Sequence, residues 1–159
     1  MGHGRLVACA RPLVLVGVLL LGALPAHAIL EEDRLARARN ERLAEGQKLA
    51  EAGRYGEAEA IGREVLAADP DLASAWSLLG FALRKQGRLG EAREAYERAL
   101  ALDPVHRGAN EYMGELWLQL GDLGRALERL AVLEATCPEP CAERRELEQA
   151  IAAHRATAR

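Results

Sequence analysis

Residues 73–104 read ASAWSLLGFALRKQGRLGEAREAYERALALDP, and the small residues within this stretch recur along the chain at a fixed interval. Gly46, Gly80 and Gly114 stand 34 residues apart, as do Gly53, Gly87 and Gly121, and Gly56, Gly90 and Gly124. Ala58, Ala92 and Ala126 keep the interval, and so do Pro70, Pro104 and Pro138. A period of this length marks stacked helix-turn-helix units, because one helix pair cannot bury its apolar face alone and its neighbours supply the missing surface. Trp76, Leu79, Leu83, Tyr96 and Leu100 fall at the spacing of inward helix faces. Gly80 and Ala92 are small enough to let two helices approach closely. Gly87 ends the first helix in a left-handed conformation, Leu89-Gly90 carries the turn, and Pro104 stops the second helix.

With units beginning at Arg39, Ala73 and Arg107, the middle one resembles the tetratricopeptide repeat. Trp76, Leu79, Gly80, Leu83, Ala92, Tyr96, Ala99 and Pro104 take the family's Trp, Leu, Gly, Tyr, Ala, Phe, Ala and Pro positions. Leu83 and Tyr96 depart from the pattern by apolar exchanges that a core tolerates. The resemblance spans residues 39–156 and implies an all-α, right-handed α-solenoid. It has three units, 39–72, 73–106 and 107–140, followed by 141–159 as a capping helix and tail. Residues 29–38 extend the first helix, expected over Glu31 to Ala52.

The outer units depart from the pattern in particular ways. In the first, Arg42 and Glu45 replace the Trp and Leu, and Gly62 takes the aromatic position, as suits a unit with one side in water. In the third, Asn110 replaces the Trp, while Met113, Trp117 and Leu130 restore apolar volume. The glycine position of the capping helix holds Glu148, since no second helix follows to pack there.

The first 28 residues have the layout of a cleaved export signal. Arg5 and Arg11 precede an apolar run, Leu13 to Leu24, and Ala26-His27-Ala28 supplies a small-x-small cleavage pattern. The run is too short for a bilayer span, so no membrane insertion is expected after cleavage. Cys9 lies before the apolar run and is lost with it. The remainder carries 24 acidic residues against 19 basic ones, the total of 21 less Arg5 and Arg11. That mild acidity argues against nucleic acid as a partner, which a clustered basic face would bind. Low aromatic content, 4%, suits close-packed helices.

The resemblance implies a concave groove lined by first helices, to be occupied by a segment of a partner protein. Carried onto this chain, the groove positions in the first unit are Asn40, Leu43, Gln47, Ala50 and Glu51. The second unit contributes Ser74, Ser77, Phe81, Arg84 and Lys85. The third contributes Gly108, Glu111, Glu115, Leu118 and Gln119, with Arg145 on the cap. Phe81, the only Phe, has two readings. It packs against Leu43 or a neighbouring helix, or it anchors an apolar side chain of the partner, with Arg84, Lys85, Glu111 and Glu115 setting orientation. The carboxylate clamp that holds chaperone tails in this family is excluded, because its positions carry Leu43, Gln47, Leu78, Gly108 and Tyr112.

Cys137 and Cys141 flank the last loop, and in an exported chain their default is a disulfide. A redox-active pair is the sharper alternative, although the spacing is not Cys-x-x-Cys and no strand is expected before it. A metal site would need further ligands, and His106 and His154 are the only imidazoles at hand. The residue pattern implies no enzyme and no cofactor. The expected role is a binding adaptor or assembly factor in a bacterial envelope, exported to the periplasm, or secreted if the cell is not Gram-negative. A thiol-disulfide or cytochrome-maturation helper using the cysteines, and a structural subunit of an envelope complex, stand as rivals.

Overall fold

The computed structural model describes residues 26–137, 139 and 141–157. Seven helices follow one another among the described residues, with no strand. They are α1 (Ala26–Glu51), α2 (Tyr55–Ala68), α3 (Ala73–Lys85), α4 (Leu89–Leu102), α5 (Arg107–Gln119), α6 (Leu123–Thr136) and α7 (Ala142–Thr157). The charged n-region, apolar run and Cys9 of the expected signal lie outside the described residues, and α1 begins at the expected cleavage motif. No helix among the described residues is long and apolar enough to cross a membrane.

Each helix packs on the next, and α1, α3, α5 and α7 also touch one another in succession. The second helices α2, α4 and α6 make no such mutual contact. First helices are therefore drawn together while second helices splay, which bends the stack and leaves its concave side to the first helices. This is the all-α solenoid that the repeat implies. The core divides into one cluster of Leu43, Ile61, Val65 and Leu78 among α1–α3, and a larger one around Leu83, Tyr96, Leu116, Leu133 and Leu147.

The turn glycines behave as the spacing requires. Gly53, Gly87 and Gly121 have φ of 74°, 79° and 79°, the left-handed conformation in which a side chain strains the backbone. Gly90 departs from expectation, for α4 begins at Leu89 and takes Gly90 into its first turn.

At Gly80 the close approach is made by a ring. A Cβ there would sit 2.5 Å from Tyr96 Cε1, so the glycine makes room for the fully buried Tyr96 rather than for Ala92. The equivalent hollows are filled from other helices. At Gly46 the near atoms belong to Leu78 (2.6 Å) and Ile61 (2.9 Å), and at Gly114 to Leu147 of α7 (2.6 Å). With Gly62 and Leu130 in place of the ring, the next first helix supplies an apolar side chain.

Asn110 also proves to do more than yield volume. Trp76 Nε1 donates to the Pro70 carbonyl at 2.8 Å, and Asn110 Nδ2, one period later, donates to the Pro104 carbonyl at 3.1 Å. The two side chains share a backbone bond that closes the turn, and a second bond from Asn110 to the His106 carbonyl secures it. In the first unit Arg42 and Glu45 pair at 2.6 Å, and Arg42 reaches Glu64 on α2. On α4 Arg93 pairs with Glu97 at 3.5 Å, while Arg98 lies 5.8 Å from the Trp76 ring centroid.

Cys137 and Cys141 are disulfide-bonded, with Cα atoms 5.9 Å apart. Cys137 closes α6 and is 2% exposed; Cys141 accepts through its carbonyl from Arg145 N at the start of α7. The bond thus ties the capping helix to the last unit.

Candidate functional site

On the concave side a pocket of about 270 Å³ opens where α1, α3, α5 and α7 come together. Phe81 forms one wall. Its half-buried ring packs on the α1–α3 core cluster and meets Tyr112 of α5 with centroids 4.8 Å apart, and Tyr55 of α2 at 6.3 Å. Both sequence readings of Phe81 therefore describe part of one ring, since it contacts core and borders open space.

Gln47, Ala50 and Glu51 line the pocket from α1, Ser74 and Ser77 from α3, and Gly108 from α5. Four further lining residues were not among the expected groove set: Leu78, His106, Tyr112 and Glu143. Tyr112 follows from the helical spacing that starts at Gly108. Glu143 lies one turn before Leu147, so the inward face of α7 was readable from Leu147 and Ile151.

His106 is held by two bonds. Its Nδ1 accepts from Ala109 N at 3.1 Å, capping α5, which leaves the ring proton on Nε2 facing Ser74 Oγ at 3.0 Å. Burial pushes its pKa below the ordinary value, so the ring stays neutral.

Several expected groove residues are placed otherwise. Leu43, 8% exposed, belongs to the core cluster with Leu78 and offers little surface. Arg84, 4% exposed, is engaged by an ion pair with Glu115, so neither is free to orient a partner as expected. Leu118 is buried against the larger core while touching a shallow hollow with Lys85 and Gln119. Asn40 is exposed on α1 and borders neither of these hollows. Arg145 is exposed and does not line either one; α7 turns Glu143, Ala150 and His154 toward them instead. The repeat register carried from Ser77 and Glu111 to Arg145 does not hold in α7, because this helix packs on α5 and α6 with no second helix of its own.

Glu111 is 3% exposed. Burial, a shared hydrogen bond with Glu146 and the neighbouring Glu115 and Glu143 charges push its carboxyl up to about 9. Tyr112, beside it, is raised to about 12 by burial and by the Glu111, Glu146 and Glu115 charges. The Tyr96 hydroxyl, buried near Arg84, is likewise raised. Lys85 stands 5.2 Å from the Phe81 centroid, outside the pocket lining.

Residues 73–104 match the family model for the tetratricopeptide repeat. No curated protein sequence matches the chain. Among solved structures, the fold is similar to the type III secretion translocator chaperone SycD of Yersinia enterocolitica, with 16% identity, TM-score 0.65, and coverage of 77% of this chain and 87% of that one. PcrH in complex with the chaperone binding region of PopD is similar at 24% identity and TM-score 0.62, over 80% and 92% of the two chains. The second tetratricopeptide domain of Spaghetti (RPAP3), bound to the HSP90 peptide SRMEEVD, is similar at 21% identity and TM-score 0.58, over 66% of this chain and 97% of that one. These likenesses concern the fold: stacked helix pairs with a tetratricopeptide-type middle unit.

Proposed function

We propose that this protein is a non-enzymatic adaptor or assembly factor that grips a segment of a partner protein along the concave face of its first helices. The observation that carries this reading is Phe81: an aromatic ring half-buried at the mouth of a side-chain-sized pocket, backed by Tyr112 and braced by four helices. Rigid aromatic surface beside a hollow is what an apolar anchor residue needs, because its burial there releases water at little entropic cost to the protein. PcrH and the RPAP3 domain, similar in fold, hold partner-derived segments, which supports the same use of the stack here. Together with the export layout of the first 28 residues, the disulfide favours work outside the cytoplasm, in a bacterial periplasm.

The thiol-disulfide alternative finds less support. Cys137 is 2% exposed, so an attacking thiol could reach the bond only at the half-buried Cys141. A photo-crosslinking residue placed at Lys85, beside Phe81, tests the adaptor reading in cells. It should capture one discrete protein, and Phe81→Ala should diminish that capture. Equal capture from Glu94 on α4 would contradict it.

A further inference from the structure

Resting on the groove reading above, we infer that the bound segment pairs an apolar side chain, seated against Phe81 and Tyr112, with a lysine or arginine placed between Glu51 and Glu143. The pocket's ionisable lining decides the sign. Glu51 at the end of α1 and Glu143 in the first turn of α7 face the same hollow, and neither is engaged in an ion pair among the described residues. His106 cannot offset them, since protonating Nδ1 would break the α5 cap that it accepts. Arg84 is neutralised by Glu115, and Lys85 stands outside the lining. Glu146, which shares a hydrogen bond with the buried Glu111, adds further negative potential on the α5–α7 side.

An acidic segment entering here would bring like charges into a half-enclosed space, whereas a cation gains from two carboxylates at once. Ser77 adds a polar mark inside the pocket: the residue is 4% exposed, borders the hollow, and its hydroxyl makes no hydrogen bond to another described residue. It is placed to donate to a backbone carbonyl of the guest. The guest is thus an extended peptide with an apolar residue and a basic residue close together in sequence.

Panning the purified, disulfide-intact protein against a random peptide phage library tests this, followed by fluorescence polarisation with the enriched peptides at low and high salt. Enriched peptides should place Lys or Arg near an apolar residue. The double variant Glu51→Gln/Glu143→Gln should bind them roughly tenfold more weakly, while Glu94→Gln, outside the pocket, should bind unchanged. Enriched peptides without basic residues, or binding indifferent to the double variant yet lost in Phe81→Ala, would overturn the charge preference and leave the groove standing. No enrichment, or binding indifferent to Phe81→Ala, would overturn both. Circular dichroism melts of each variant separate these outcomes from loss of fold.

Discussion

Truncating Phe81 removes a core contact and a pocket wall together, so Phe81→Ala is expected to act on two measurements. Affinity for the partner should fall by about 1–3 kcal/mol, as for a buried aromatic anchor. The melting temperature should drop modestly, because the half-buried ring shares its packing with Tyr112. A lower melting temperature with unchanged affinity would assign the ring to the core alone. Glu111 makes a separate prediction from pH. Its folded value near 9 lies above that of an unfolded Glu, so its neutral form stabilises the fold fully below about pH 4.5, and that contribution is lost as pH rises toward 9. Glu111→Gln, fixed in the neutral form, should therefore gain on the native protein by on the order of 1 kcal/mol per pH unit across that window. Urea titrations at mildly acidic and mildly alkaline pH check it; a constant difference would contradict it. Glu59 has the opposite sign. Despite burial, bonds from Gln86, Arg63 and Arg88 hold it at about 2, so its contribution is present above the ordinary Glu range and lost only as pH falls toward 2.

At the scale of the helix pair, the contact between Gly80 and Tyr96 is open to a double-mutant cycle. Gly80→Ala puts a Cβ into the ring and should destabilise by roughly 1–3 kcal/mol. Tyr96→Leu empties part of a fully buried site and should cost a similar amount. Combined, they should cost less than the sum, because the smaller side chain leaves room for the methyl; additivity in chemical denaturation would contradict the geometry. The 34-residue interval made the helix pairs, their left-handed stops and the capping helix legible, since each rests on a backbone requirement that only a few residue types meet. What faces each glycine was not legible. The hollow at Gly114 is filled by Leu147, and that choice depends on how α7 leans on α5. Nor could the sequence show that Asn110 repeats the hydrogen bond of Trp76, because the shared feature is an N–H donor at one point in space. Arg84 and Glu115 occupy groove positions by register, yet only three-dimensional proximity turns them from partner-facing charges into an ion pair with its guanidinium buried.

For the whole molecule, curvature and the last cross-link matter together. The disulfide closes a short loop and ties α7 to the end of α6, so Cys137→Ser/Cys141→Ser should lower stability by about 2 kcal/mol. Hydrogen exchange should locate the loss in α7, where Leu147 and Ile151 cover the final unit. Uniform loss across all helices would contradict a local clasp. Because α7 also brings Glu143 to the pocket, the variant should bind its partner more weakly while α1 to α4 remain protected. The central claim is that the first helices form the binding surface. Titrating isotope-labelled protein with the captured partner's segment and mapping amide chemical shifts tests it most directly. The largest changes are expected at Ser74, Ser77, Phe81 and Tyr112 on α3 and α5, with Glu51 and Glu143 at the rim. Changes confined to α2, α4 and α6 would contradict the account.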